Sequence, residues 1–229
     1  MTLTSSGIHV SDSGKDATAA ACLGSNTSTR QKNKKEIHMK KLFTVAALIA
    51  LASLPCLAQT TTWNVDPAHT NSQFAVKHLG ISTVRGEFTK TTGTIQLDEK
   101  DVTKSKVEVT VDTTTLDTRN EGRDKDVKGD GYLDVAKFPT MTFKSKSITS
   151  AGDGKLRIAG DLTLHGVTKE VTFDVDGPSA AITDPWKNLR RGASATTKIN
   201  RKDFGVNGGG GFVGDDVTIT IDMEFTRKP

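Results

Sequence analysis

The chain has 229 residues, with 31 Lys and Arg against 27 Asp and Glu, 34% hydrophobic residues, 21 Gly and 2 Cys, a composition ordinary for one or two globular domains. That excludes collagen, a coiled coil and a polytopic membrane protein. The basic excess belongs to the first 58 residues, which carry 7 of the Lys and Arg and 3 of the Asp and Glu and leave 24 of each behind them; a neutral remainder lacks the field that a phosphate backbone requires, which argues against nucleic acid as a partner.

Residues 1–38 are Ser, Thr, Lys and Gly with scattered Ala and show no apolar periodicity, so no folded domain is expected there. Lys35-Glu36 stands two codons before Met39, as a ribosome-binding site would if translated, and Met39 is the expected start, with 1–38 an untranslated upstream extension. Residues 39–58 then read as a signal peptide: basic Lys40-Lys41, an apolar run from Leu42 to Leu54, and small residues at Cys56 and Ala58. The apolar run is too short to span a bilayer. Cleavage after Ala58 makes Gln59 the first residue of a secreted, periplasmic domain over 59–229; lipid attachment at Cys56 fits badly with Pro55 before it. Cys22 and Cys56 both fall in the leader, so the domain relies on an apolar core without disulfides or a thiol nucleophile.

From Trp63 onward the apolar period is two. Strands are predicted at Phe74-Val76-His78, Val84 to Leu97, Val107-Val109-Val111, Phe138 to Ile148, Leu156 to Leu164, Val171-Phe173-Val175, Arg190 to Ile199, and Val217-Ile219-Ile221-Met223-Phe225. Short turns at Asp98-Glu99-Lys100, Gly152-Asp153-Gly154 and His165-Gly166 separate several of them. The expected fold is all-β: an eight-stranded antiparallel lipocalin-like barrel, in which closure removes exposed edges. An interior of eight strands is either filled by side chains or shared with one ligand. The connection from Asp117 to Asp134 is too long and polar for a hairpin loop and predicts a short helix capped by Asp117 or Thr118. It is either a surface crossover or a functional loop.

Local motifs are few. Gly209 to Gly214 matches G-x-G-x-x-G in form, but a strand rather than a helix follows at Val217, so no dinucleotide site is expected. The P-loop, zinc-protease and nucleophile-elbow patterns are missing. His69, His78 and His165 lack the spacing of metal ligands, and no metal or cofactor is expected. His165 reads as a turn residue; His78 shares parity with Phe74 and Val76 and should point inward, as a core histidine or a polar contact for a ligand. Lys187, Arg190, Arg191, Lys198, Arg201 and Lys202 form a basic stretch, either a solvated face or a transient contact for anionic headgroups.

Trp63-x-Val65-Asp66-x-x-His69, Phe74-x-Val76-x-His78, Gly86-x-Phe88, Arg123-Asp124, Tyr132-Leu133-Asp134, Phe138-Pro139-x-x-x-Phe143, Gly160-x-Leu162-Thr163-x-His165-Gly166-Val167-Thr168, Asn200-Arg201-x-x-Phe204-Gly205 and Val213-Gly214-Asp215-x-Val217 occur in this order. The set resembles the YceI-like polyisoprenoid-binding family from Thr62 to the end. The resemblance implies a secreted lipocalin-like barrel whose elongated interior holds an isoprenoid or related long-chain amphiphile. Family members commonly carry a His shortly after the Arg-Asp pair; here that place is taken by Lys125-Asp126-Val127-Lys128. His69, Arg123 and Asp124 are the candidates for a polar head group, with Arg123 and Asp124 alternatively paired to each other.

The leading expectation is a non-catalytic carrier or store for an isoprenoid-chain lipid such as a quinone, with Phe74, Val76, Phe88, Val109, Val111, Phe143, Leu162, Phe173, Ile199, Ile219 and Ile221 as apolar wall and His78 as its polar member. A second reading is a periplasmic enzyme acting on that lipid, with His69 or His78 as base beside Asp66 or Asp112. A third is a partner-binding module for a membrane redox protein, docking through Arg190 and Arg191; a homodimer through an edge or mouth fits any of the three.

Overall fold

The structure is a computed structural model that describes residues 60–229; the expected leader, 1–38 and 39–58, lies outside the described residues. Twelve strand segments follow one another: β1 (Thr60–Val65), β2 (Asn71–His78), β3 (Ser82–Phe88), β4 (Thr91–Asp98), β5 (Lys106–Asp112), β6 (Leu116–Asp117), β7 (Thr140–Gly152), β8 (Lys155–Leu164), β9 (Val167–Asp176), β10 (Ile182–Thr183), β11 (Leu189–Asn200) and β12 (Val213–Arg227). A single α-helix among the described residues, α1 (Glu121–Lys128), precedes β7.

Eleven of the twelve segments make eight staves, because β1 with β2, β3 with β4, and β5 with β6 are each one run bent at a short interruption, while the two-residue β10 pairs only with the start of β11. The register shows this: β1 pairs with β4 and β2 with β3, while β12 pairs with both β1 and β2. Hydrogen bonding then runs from β4 through β5, β7, β8, β9, β11 and β12 back to β1, every step antiparallel, which closes an eight-stranded barrel. The expected single strand from Val84 to Leu97 is therefore broken at Thr89-Lys90, and the β7 strand begins at Thr140 rather than Phe138.

Alternation puts Leu156, Ile158, Leu162 and Leu164 of β8, and Phe173 and Val175 of β9, on the inner face. On β7 the inward set changes parity, from Met141 and Phe143 to Ile148. A bulge between Ser145 and Ser147, opposite Gly160 and Ala159, supplies the extra residue. Gly160 is needed there: a Cβ would lie 2.7 Å from the Phe143 ring and 2.8 Å from Ser145 Cα.

The turns divide into two kinds. Asp153 and Gly154, and His165 and Gly166, have positive φ and make the tight hairpins that the sequence signals. The stretch after Asp98 is longer than a turn: its carboxylate accepts from the Lys100 and Asp101 N–H groups, and a 3-10 turn at Val102–Lys104 follows. At the other end, α1 is capped by Asn120, whose side chain accepts from the Arg123 N–H, not by Asp117 or Thr118. Asp117 and Thr118 are already used, Asp117 by the Arg119 N–H and Thr118 by Asp124 and Arg123.

Candidate functional site

The barrel is packed at one end and open inside for much of its length. At the packed end Trp63 is completely buried, in edge contact with Phe225 at 5.7 Å between ring centroids, and Val65, Ile95 and Leu97 fill the space around them. The guanidinium carbons of Arg191 and Arg227 stand 5.3 and 5.2 Å from the Trp63 ring. Arg191 is fixed in turn by Glu99 Oε2 and Ser179 O, each 2.7 Å away.

Further along the barrel the inward side chains pack against their neighbours, as Phe143 does on Phe173 with centroids 5.1 Å apart, but they do not fill the centre. They enclose a cavity of about 680 Å³, within the usual size range of small-molecule sites. All twelve residues expected from the sequence border it: Phe74, Val76, His78, Phe88, Val109, Val111, Phe143, Leu162, Phe173, Ile199, Ile219 and Ile221. Phe74, Val76, Phe143, Ile219 and Ile221 are only half-buried although they point into the barrel, which is how a wall differs from a core. Tyr132, Leu133, Met141, Val206, Val213 and Val217 also line the space. Met141 and Val217 share the parity of residues already chosen, whereas Tyr132, Leu133 and Val206 come from connections and carry no periodic signal.

The cavity reaches the surface where its lining is both polar and exposed, at Lys77 and His78 on β2 and at Asn120 and Asp126 around α1, with Arg123 half-buried beside them. The gap exists because β3 pairs with β6 only at Glu87 and Phe88, leaving Ser82 to Gly86 with β2 as their one strand neighbour. Gly86 keeps this region thin: a Cβ there would stand 2.5 Å from the Phe74 ring and 2.8 Å from Thr118 Cγ2. His78 is exposed at the rim rather than pointing into the apolar interior, since β2 ends there and turns away at Leu79.

The three candidate head-group residues separate. Arg123 is at the rim, its Nε donating to Thr118 Oγ1 at 2.9 Å and its Nη2 to Thr118 O at 2.7 Å. Asp124 lies outside the cavity lining and does not pair with Arg123: its Oδ1 accepts from the Thr118 N–H and hydroxyl, which hold its carboxyl below the usual range. Both side chains therefore fasten the start of α1 to Thr118.

His69 is remote from the cavity lining. Its Nδ1 is 2.9 Å from Asp66 Oδ2, and Arg190 Nη1 donates to Asp66 and to Glu224, both at 2.6 Å. Burial pushes the Asp66 carboxyl up, but Arg190, His69 and the Ala68 N–H together hold it below its ordinary value, and Asp66 and Glu224 raise Arg190 further. Asp66, His69 and Glu224 bring ligand-type atoms within 4.8 Å of one another, an arrangement hidden in sequence because Glu224 comes from the far strand. The Arg190 guanidinium already supplies positive charge to both carboxylates.

Asp112 is also committed, accepting from Thr114 and Lys90, and its carboxyl is lowered, chiefly by the Thr114 hydroxyl. The basic stretch is not a continuous free face. Arg190 and Arg191 are paired as described, Lys198 with Asp216 and Lys202 with Asp215. Arg201 is buried and donates to the carbonyls of Val206, Val213 and Gly214. It bonds the loop before β12 to the barrel rim.

The model of the YceI-like domain matches residues 63–225. A UPF0312 protein of Vibrio parahaemolyticus is 41% identical over 169 residues, covering 73% of this chain and 88% of the relative, and one of Vibrio cholerae is 38% identical over 170 residues, covering 73% and 89%. Among solved structures, the Campylobacter jejuni YceI protein superposes with a TM-score of 0.59 at 28% identity, over 67% of this chain and 90% of that one. A polyisoprenoid-binding domain from Saccharophagus degradans has the same fold, with a TM-score of 0.55 at 13% identity over 73% and 98%.

Proposed function

The chain belongs to the YceI-like family, and from that premise we propose that it binds a single long-chain apolar amphiphile of isoprenoid type, a quinone or polyprenyl lipid, and carries or stores it in the periplasm without chemical change. The cavity carries this reading. An apolar void of that size is unfavourable when empty and offers water few hydrogen-bond partners, whereas a chain entering it gains about 0.8 kcal/mol for each methylene removed from water. The polar rim at His78, Asn120, Arg123 and Asp126 suits a head group left at the opening while the chain lies inside. The ligand class named for the Saccharophagus domain matches this chemistry. The periplasmic location rests on the signal-like run from Met39 to Ala58.

Binding fits the geometry better than catalysis. The His69–Asp66 pair stands away from the cavity, and His78 has no carboxylate partner among the described residues. The test is native mass spectrometry of the protein from its producing cells, followed by organic extraction. A stoichiometric isoprenoid lipid is the expected result. An apo mass unchanged by incubation with isoprenoid quinones overturns the proposal.

A further inference from the structure

The hairpin that forms one side of the opening ends in apolar side chains that the fold leaves in water. Leu79, Ile81 and Phe212 are 52%, 83% and 62% exposed. They belong to one surface: the Leu79 N–H donates to the Phe212 carbonyl at 2.7 Å, tying the β2–β3 turn to the loop before β12. Leu79 has a φ of 53°, where Gly or Asn is the cheaper residue, and at these exposures a polar side chain would be cheaper at all three positions. Folding gives no reason for three large apolar groups here.

Along the hairpin itself the charge is also one-sided. No Asp or Glu occurs between Asp66 and Glu87, while Lys77 and Arg85 lie on the two strands of the hairpin. Neither makes an ion pair among the described residues, in contrast to the strand residues Lys144, Lys146, Arg157, Arg191 and Lys198. The other exposed apolar pair, Ile182 and Trp186, lies at the far end of the barrel beside Asp184, which Arg190 contacts.

We propose that the β2–β3 tip, with Leu79, Ile81 and Phe212 as apolar anchors and Lys77 and Arg85 as cations beside them, docks on an anionic phospholipid surface with the barrel opening toward the bilayer. This rests on the lipid-binding reading above and names the surface from which cargo is exchanged. Apolar groups reaching the acyl boundary under a rim of unpaired cations is the pattern of a reversible interfacial contact. It lets a long apolar chain pass from membrane to cavity without crossing water, because His78, next to the anchors, already borders the cavity.

The experiment is co-sedimentation of the protein from its producing cells with vesicles of phosphatidylcholine, with and without phosphatidylglycerol. The triple variant Leu79→Ser, Ile81→Ser, Phe212→Ser and the single variant Arg85→Glu are compared with Trp186→Ser. The parent and Trp186→Ser should bind only the anionic vesicles. Arg85→Glu, a change of two unit charges, should weaken that binding about tenfold or more, and the triple variant should abolish it. Uptake of a fluorescent isoprenoid lipid from detergent should be unchanged in both hairpin variants, while its transfer from anionic vesicles slows. Equal vesicle binding by parent and triple variant, loss with Trp186→Ser instead, or a dimer that the triple variant dissolves overturns the proposal. Failure of the parent to take up the detergent-dispersed lipid overturns the cargo reading and leaves the vesicle result to judge the docking surface.

Discussion

The two ends of one pair of staves treat the same alternation differently. On β1 and the end of β12, Trp63, Val65 and Phe225 pack into one cluster; on β2 and the middle of β12, Phe74, Val76, Ile219 and Ile221 stand side by side on one wall of the open space. Period two decides which side chains point inward in both places. Filling is decided by the size of the neighbouring side chains. Trp63 and Phe225 are large, and Arg191 and Arg227 lie over the indole, whereas the β11 residue paired with Ile221 is Ala195. The packed end supplies the stability that lets the open part stay open.

The largest effect should come from the packed end. Trp63→Ala should cost about 3–5 kcal/mol in denaturant unfolding, and Ile219→Ala only about 2 kcal/mol, since one side of Ile219 already faces space. Equal losses would show that the two regions are equally dense. Filling the open part tests the contrast from the other side. Ala195→Trp should leave the far-ultraviolet circular dichroism spectrum unchanged and weaken isoprenoid binding by about tenfold or more, a loss of roughly 1.4 kcal/mol.

Smaller effects should follow at the periphery. Asn120→Ala removes the cap of α1 and should cost about 1 kcal/mol, with the rim residue Arg123 loosened and binding slightly weaker by titration. Asp66 gives the smallest. Its carboxyl is held below its ordinary value of 3.8, so its pairing with Arg190 and His69 stabilises the fold above about pH 4 and is lost as the pH falls through the lowered value. Asp66→Asn should therefore lower the melting temperature at neutral pH by a few degrees at most and make no difference in strong acid. A difference that grows in acid would contradict this sign.

The barrel was legible because its strands are half-wet. Val217 to Phe225 alternates without a fault, and the twelve wall positions read from such runs all border the cavity. What alternation does not carry is continuity. The break at Thr89-Lys90, the bulge that changes parity on β7, and the wall residues Tyr132 and Val206 depend on neighbours distant in sequence. The candidate polar residues were less legible still. Arg123 and Asp124 are adjacent in sequence, yet both spend their hydrogen bonds on Thr118, and His69 is drawn to Asp66 outside the barrel. A charged side chain goes where its partner is, and local spacing does not reveal that partner.

Closure by β12 has a consequence for the order of folding. The pairs that seal the ring, Val65 with Phe225 and Asn64 with Thr226 on β1 and the run from Asn71 with Asp222 to Val76 with Val217 on β2, join the first described stave to the last, while every other seam joins staves consecutive in the chain. Hairpins such as β8–β9 can form early from local contacts, but the seal must wait for the whole domain and carries the entropy of its longest loop. A chain emerging from a ribosome or a translocation pore is thus an open, curling sheet until its final stave arrives. It becomes a container only in that last step.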